Sequence, residues 1–169
     1  NGWVANSWQG EIDSMKLWLT NKLAWIDANM FPTTQSCGAL SNLSVTVDEI
    51  NFNSESTIDA GDWIELYNYG STTVDLSNAV LLNGDSYEKY CVIPNNTHLN
   101  AGQRLVIYED SLKFAPQFPS VTNKIGPLCF KLSNTGQKLT IRDKDNKLIT
   151  SFTYSSDWQC SAAGYGRTL

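Results

Sequence analysis

The chain has 169 residues, of which 12 are basic and 17 acidic, giving a formal net charge of −5. An acidic chain without a cluster of Lys and Arg repels phosphate backbones, so we expect no nucleic-acid partner. No apolar run approaches the ~20 residues that a membrane helix needs, so we expect no membrane insertion.

The first thirty residues predict an amphipathic helix, followed by a linker. Between Glu11 and Met30 there is no Gly or Pro, and Pro32 prevents the helix from continuing. A helix of this kind carries a stripe of apolar side chains along one side. Exposing that stripe to water is costly, so we expect it to dock on the rest of the chain or to pair with a second copy. The stripe, at helical spacing, consists of Ile12, Met15, Trp18, Leu19, Leu23, Ala24, Trp25, Ile26 and Met30.

From Leu43 onward, apolar residues occur at every second position, which predicts short strands. The alternation of apolar and polar residues shifts by one position at Asp48 and Glu49, which predicts a β-bulge. One short helix interrupts the strands, with Ser111 as its predicted cap and Phe114 and Phe118 on one face. The predicted strands are Leu43–Val47 continuing to Ile50–Phe52, Asp62–Asn68, Ala79–Leu82, Lys89–Ile93, Gln103–Tyr108, Lys131–Leu132, Lys138–Arg142 and Leu148–Tyr154.

This pattern predicts an all-β protein in which a two-sheet β-sandwich follows an N-terminal amphipathic α-helix. Turn residues separate the strands, and the number of strands suits two sheets. We therefore divide the chain into a helical segment at residues 1–31, a linker at 32–42 and a β-sandwich at 43–169.

The cysteines give the clearest indication of the cellular compartment. Cys37, Cys91, Cys129 and Cys160 are even in number and far apart, whereas zinc sites usually show closely spaced pairs. Disulfides in an exported protein are the preferred interpretation, and free buried thiols are the alternative. Four cysteines allow three pairings. We favour Cys37 with Cys160, because these two flank the β region.

The strand Asp62–Asn68 has two different faces. Ile64 and Leu66 share one face, which we assign to the core, and Trp63, Glu65 and Tyr67 share the other. On an outward face, the two aromatic rings would stack on a sugar while the carboxylate bonds its hydroxyls. The competing interpretation is that another element, such as the N-terminal helix, covers Trp63 and Tyr67.

The sequence does not predict an active site, a metal or a cofactor. The acidic residues near strand ends lack the spaced pattern of a calcium loop. His98 lies in a turn rich in Asn and Thr, without the pattern of a catalytic histidine, and the glycines occur singly. We expect a protein that binds or scaffolds and has no catalytic residues.

Several of these segments together resemble the lamin tail domain. They are Val47–Ile50, Asp62–Asn68, Val74–Ser77, Ala101-Gly102 before Leu105–Tyr108, the Phe114/Phe118 helix, Leu132–Gly136 and Gly164–Arg167. The resemblance implies an immunoglobulin-like sandwich without enzymatic activity. In bacterial exported proteins, such domains lie beside other domains.

The N-terminal helix is similar to the last helix of spore-coat kinase domains of the CotH type, over Leu17–Met30. The two resemblances imply an interaction or scaffolding module that positions an upstream catalytic domain in a protein exported to the periplasm, cell surface or medium. The partner would be that upstream domain or another protein. The alternative function is carbohydrate binding, with a glycan on Trp63, Glu65 and Tyr67.

Overall fold

The computed structural model describes residues 8–29, 39–54 and 57–157, and the chain divides into two units, residues 1–38 and 39–169. In the first unit, helix α1 spans Trp8–Asn29, so the predicted helix is confirmed and begins before Glu11. No helix in the described ranges is both long and apolar enough to cross a membrane. Four residues of the predicted stripe are exposed on α1: Met15, Trp18, Leu19 and Leu23.

Within residues 39–54 and 57–157, the second unit contains ten strands and one helix. In chain order they are β1 (Val45–Asn51), β2 (Trp63–Asn68), β3 (Val74–Asp75), β4 (Val80–Asn83), β5 (Tyr90–Val92), β6 (His98–Leu99), β7 (Arg104–Tyr108), α2 (Ser111–Gln117), β8 (Lys124–Ile125), β9 (Gly136–Arg142) and β10 (Leu148–Ser155).

The strands form two four-stranded sheets, which confirms the predicted β-sandwich. The first sheet has the order β1-β2-β7-β8 and the second β10-β9-β4-β5, while β3 and β6 form a separate pair. All pairs are antiparallel except β7 with β8. The register of β1 shifts between Val47 and Glu49, which confirms the predicted bulge.

The core lies between the sheets and is built from alternate residues of each strand. Ile64 and Leu66 of β2 are fully buried, as the period of two predicts, and Leu81 and Ile141 are buried on the second sheet. Burying each such side chain contributes roughly 1.5–3 kcal/mol. The strand pattern therefore determines which face of each sheet is internal.

Asn68, at the end of β2, is a polar residue that is fully buried. Its Nδ2 donates to the carbonyl oxygens of Thr72 and Leu99, both at 2.8 Å, and its Oδ1 accepts from Gly70 N at 2.9 Å. One side chain therefore ties the turn after β2 to strand β6.

Three details differ from the sequence-based expectations. Lys131 and Leu132 do not form a strand, because Leu132 N donates to the carboxylate of Asp62 instead of to a neighbouring strand. The cap of α2 is Asp110 and not Ser111, since Asp110 Oδ1 accepts from Leu112 N at 2.8 Å.

The third difference concerns the start of the sandwich. Residues 39–41, which the sequence places in the linker, run beside β10: Leu40 bridges Leu148, and Ser41 N donates to Leu148 O at 2.8 Å. Backbone pairing of this kind leaves no apolar alternation, so the sequence does not indicate it.

Candidate functional site

The outer face of the first sheet carries the three residues that the sequence singles out for binding. Trp63, Glu65 and Tyr67 do lie on one face of β2, opposite the core residues. Their surroundings differ, however, because α2 covers only one end of that face. Trp63 is 5% exposed, whereas the side chain of Glu65 is 15% exposed and Tyr67 is partly exposed.

Trp63 is buried beneath helix α2. Its ring meets those of Phe114 and Phe118 edge-on, with centroid distances of 5.9 and 5.6 Å. With Ala60 and Val106 these residues form a second, smaller apolar cluster. The interpretation of Trp63 as a sugar-stacking residue is therefore wrong, because an element of the sandwich itself occupies its face.

At the other end of the face, Arg104 of β7 lies beside Tyr67, its register partner on β2. The guanidinium carbon of Arg104 lies 4.5 Å from the centroid of the Tyr67 ring, which is cation–π geometry. Arg104 Nε lies 2.7 Å from Asp48 Oδ2 and 3.0 Å from Glu65 Oε1. We call Asp48, Glu65, Tyr67 and Arg104 the Arg104 patch.

The patch combines a fixed cation with excess negative charge. Burial raises the pKa of Glu65, the neighbouring Glu49 raises it further, and Arg104 opposes both effects. The hydrogen bond to Asp48 raises the pKa of Arg104. The Arg104 side chain remains 50% exposed. The patch can therefore present a held guanidinium and an aromatic ring to a partner.

The sequence gives no sign of Arg104 as part of this site. Arg104 is 37 positions after Tyr67 in the chain, and only the pairing of β2 with β7 brings the two together. The bulge in β1 supplies Asp48, which leaves the regular ladder there. Binding by Glu65 and Tyr67 stays a prediction.

A second polar cluster surrounds Asp62, just before β2. Asp62 accepts a hydrogen bond from Leu132 N at 2.7 Å, and its own N donates to Glu109 Oε2 at 3.3 Å. An open cavity of about 310 Å³ lies beside it, with Lys113 and Lys131 on its walls. Burial raises the pKa of Asp62 to about 6, the Leu132 hydrogen bond lowers it, and Glu109 raises it.

We expect Asp62→Asn to stabilise the protein at pH 7.5 by about 1–2 kcal/mol, a value reduced for the partial exposure of the group. The pKa of Asp62 is higher in the folded state than in the unfolded state. The contribution of Asp62 to the free energy of unfolding is therefore fully present below pH 4 and is lost as the pH rises through 6. Asn keeps the acceptor for Leu132 N. Urea unfolding at pH 7.5 and 4.5 measures the effect.

The stabilisation by Asp62→Asn should be much smaller at pH 4.5, where Asp62 of the folded wild-type protein is protonated, and should vanish only below the unfolded pKa. Asp145→Asn, in an exposed turn, serves as the control and should change stability by less than ~0.5 kcal/mol at both values of pH. Equal stability of Asp62→Asn and the wild-type protein at pH 7.5 would contradict the burial argument.

Two of the four cysteines fall within the described residues. Cys91 of β5 and Cys129, after β8, form a disulfide with their Cα atoms 5.3 Å apart. This bond joins the edge of the second sheet to the segment that follows the first sheet. Cys37 and Cys160, the pair favoured from the sequence, lie outside the described residues.

Across residues 8–29, 39–54 and 57–157, no group of three or more His, Cys, Asp or Glu side chains is placed to hold a metal ion. His98 lies near one carboxylate, with Nε2 3.9 Å from Asp75 Oδ1, and both side chains are more than half exposed. The Arg104 patch, in contrast, joins two ion pairs and a cation–π contact on one guanidinium.

Comparison with known proteins identifies one family. The model of the Lamin Tail Domain matches residues 39–156, which is most of the sandwich and begins where Ala39 and Leu40 start to pair with β10. No curated protein matches the chain significantly.

Proposed function

This chain belongs to the lamin tail domain family, and from that premise we propose that it is a non-catalytic interaction module of an exported bacterial protein. The module positions a neighbouring catalytic domain of the same polypeptide or holds a second protein. The binding surface is the Arg104 patch.

The observation that carries this proposal is the arrangement of Arg104 on Tyr67. Arg and Tyr are enriched among the residues that dominate protein–protein binding energy. Asp48 and Glu65 hold the guanidinium in place through Nε. A side chain held in this way loses less conformational entropy on binding than a free one does. A half-exposed, pre-ordered Arg–Tyr pair therefore suits a protein partner.

Site-specific photo-crosslinking in the intact parent polypeptide tests the proposal. Benzoylphenylalanine replaces Tyr67 in one variant and Lys144 in the control, which places the probe in the exposed turn between β9 and β10 of the other sheet. We expect crosslinks from position 67 to one defined surface, identified by mass spectrometry, and none from position 144. Equal labelling from both positions, or none from 67, would refute the proposal.

The alternative function is carbohydrate binding on the same face, with Tyr67 and Glu65 as the remaining candidates. Burial of Trp63 leaves one aromatic ring instead of two, and Arg104 covers one side of it. A glycan array followed by calorimetry tests this function. Binding that Tyr67→Ala abolishes and Lys144→Ala preserves would support it, and absence of binding to any glycan would rule it out.

We propose that α1 belongs with the upstream domain, in line with its similarity to the last helix of CotH-type kinase domains. In the isolated chain, its exposed stripe favours self-association. Sedimentation of the 169-residue chain and of its Leu19→Glu variant measures this. A concentration-dependent mass that the substitution removes supports pairing through α1, and two identical monomers argue against it.

Export is proposed from the cysteines, since disulfides persist in oxidising compartments. Mapping of peptides from the native protein without reduction is expected to recover Cys91 joined to Cys129. Free thiols at both positions would argue for a reducing compartment.

A further inference from the structure

Strand β5 is an edge strand of the second sheet, and part of its backbone points away from its neighbour β4. Lys89 O accepts a hydrogen bond from β4 at 2.9 Å, and Ile93 N donates one at 2.8 Å to the residue before β4. Hydrogen-bonded positions alternate along an antiparallel ladder, so Cys91, midway, also faces β4. Tyr90 and Val92 therefore direct their N–H and C=O groups to the open edge.

This edge is apolar and accessible. Tyr90 is 45% exposed and Val92 is 50% exposed. No charged residue occurs between positions 90 and 97, or between 125 and 130 on the segment opposite. Within residues 39–54 and 57–157, no other strand pairs with this side of β5.

An apolar cavity of about 190 Å³ opens next to the edge, between the two sheets. Its walls come from β5 and the residues after it, from the end of β7, and from β8 with the residues that follow. The disulfide between Cys91 and Cys129 forms part of the lining. The other lining residues are Val92, Ile93, Pro94, Ile107, Ile125, Gly126 and Pro127.

We propose that β5 binds an extended segment of a partner protein by strand addition, and that one branched aliphatic side chain of this segment fills the cavity. A single partner chain can hydrogen-bond the outward backbone groups of both Tyr90 and Val92 only in the extended conformation. A strand added at the edge directs alternate side chains inward, toward the space between the sheets. The uncharged lining selects an apolar residue at the inward position.

A second copy of this chain fits the edge less well. In a two-fold antiparallel pair centred on Cys91, the inward residue of the second copy would be its own Cys91. That side chain is short and is tied to Cys129, so it would leave the cavity unfilled. The geometry therefore favours a peptide segment over a dimer.

Peptide selection identifies a probe for this site. A phage library of twelve random residues is panned on the oxidised 169-residue protein, and the enriched sequence is synthesised. We expect a consensus with Val, Ile or Leu at one position, and at least a tenfold loss of affinity when that residue becomes Asp. Enrichment of no sequence over the bare support would overturn the proposal.

Backbone methylation of the probe tests the strand pairing on the unmodified protein. Peptides carry a single N-methyl group at successive positions. Methylation of an N–H that faces β5 should lower affinity at least tenfold, whereas methylation at the alternate positions should change it less than threefold. Equal effects at all positions would show that the peptide does not bind as an added strand.

Substitutions at Val92 test the location. Val92→Pro removes an N–H that faces outward and makes no bond to β4, so the fold is retained, since Pro is tolerated on strand edges. Val92→Thr keeps the N–H and serves as the matched control. We expect the probe to bind Val92→Thr and not Val92→Pro, with circular dichroism showing both folded. Equal binding by both variants would contradict the proposal, as would a dimer that Val92→Pro abolishes.

Discussion

Replacing Asn68 with Asp is expected to lower the free energy of unfolding by about 3–5 kcal/mol at pH 7. The carboxylate cannot donate to the carbonyl oxygens of Thr72 and Leu99, which the Asn68 amide now satisfies. It would also place a negative charge at a fully buried position beside those two oxygens. Urea unfolding followed by tryptophan fluorescence measures the loss.

The matched control for this substitution is Asn100→Asp. Asn100 is exposed, and its Oδ1 accepts a hydrogen bond from Thr73 Oγ1 that an Asp carboxylate can also accept. We expect that control to change stability by less than ~0.5 kcal/mol. If the urea concentration at the unfolding midpoint of Asn68→Asp equalled that of the wild-type protein within error, the Asn68 hydrogen bonds would not stabilise the turn after β2.

Trp63→Ala should lower the stability by about 3–5 kcal/mol, because it empties the centre of the cluster between β2 and α2. The indole contacts the rings of Phe114 and Phe118, and without it α2 loses the surface on which it packs. Chemical unfolding measures the change, and the loss of near-ultraviolet circular dichroism reports the freed aromatic rings.

Trp8→Ala is the control for Trp63→Ala, since Trp8 lies on α1 with 81% of its surface exposed. That substitution should leave the stability unchanged within ~0.5 kcal/mol. If Trp63→Ala unfolded at the same urea concentration as the wild-type protein, Trp63 would have to be accessible, and its exclusion from ligand binding would be wrong.

Much of the sandwich follows from local patterns in the sequence. The period of two in β2 identifies Ile64 and Leu66 as core residues, and the phase slip at Asp48 and Glu49 identifies the bulge. Strands β3, β6 and β8 have only two residues each. A segment of that length cannot show an alternation, so its strand identity depends entirely on its partner.

The binding face is less predictable because its residues are distant in sequence. The i, i+4 pair Phe114 and Phe118 predicts an apolar face on α2, but not that this face covers Trp63. The cation–π contact of Arg104 with Tyr67 likewise requires the pairing of β7 with β2. The alternation of side chains along one strand thus separates the core face from the outer face, while tertiary packing decides which outer residues stay accessible.

The affinity of the crosslinked partner for two arginine variants tests the central claim, that the Arg104 patch is the interaction surface. Arg104→Gln removes the guanidinium from Tyr67, and Arg142→Gln on β9 of the other sheet is the control, since Arg142 Nη1 donates to the backbone oxygen of Asn146. Calorimetry should show about a 30-fold weaker affinity for Arg104→Gln, equivalent to ~2 kcal/mol. Arg142→Gln should bind within threefold of the wild-type protein. Equal affinities of the two variants would contradict the claim.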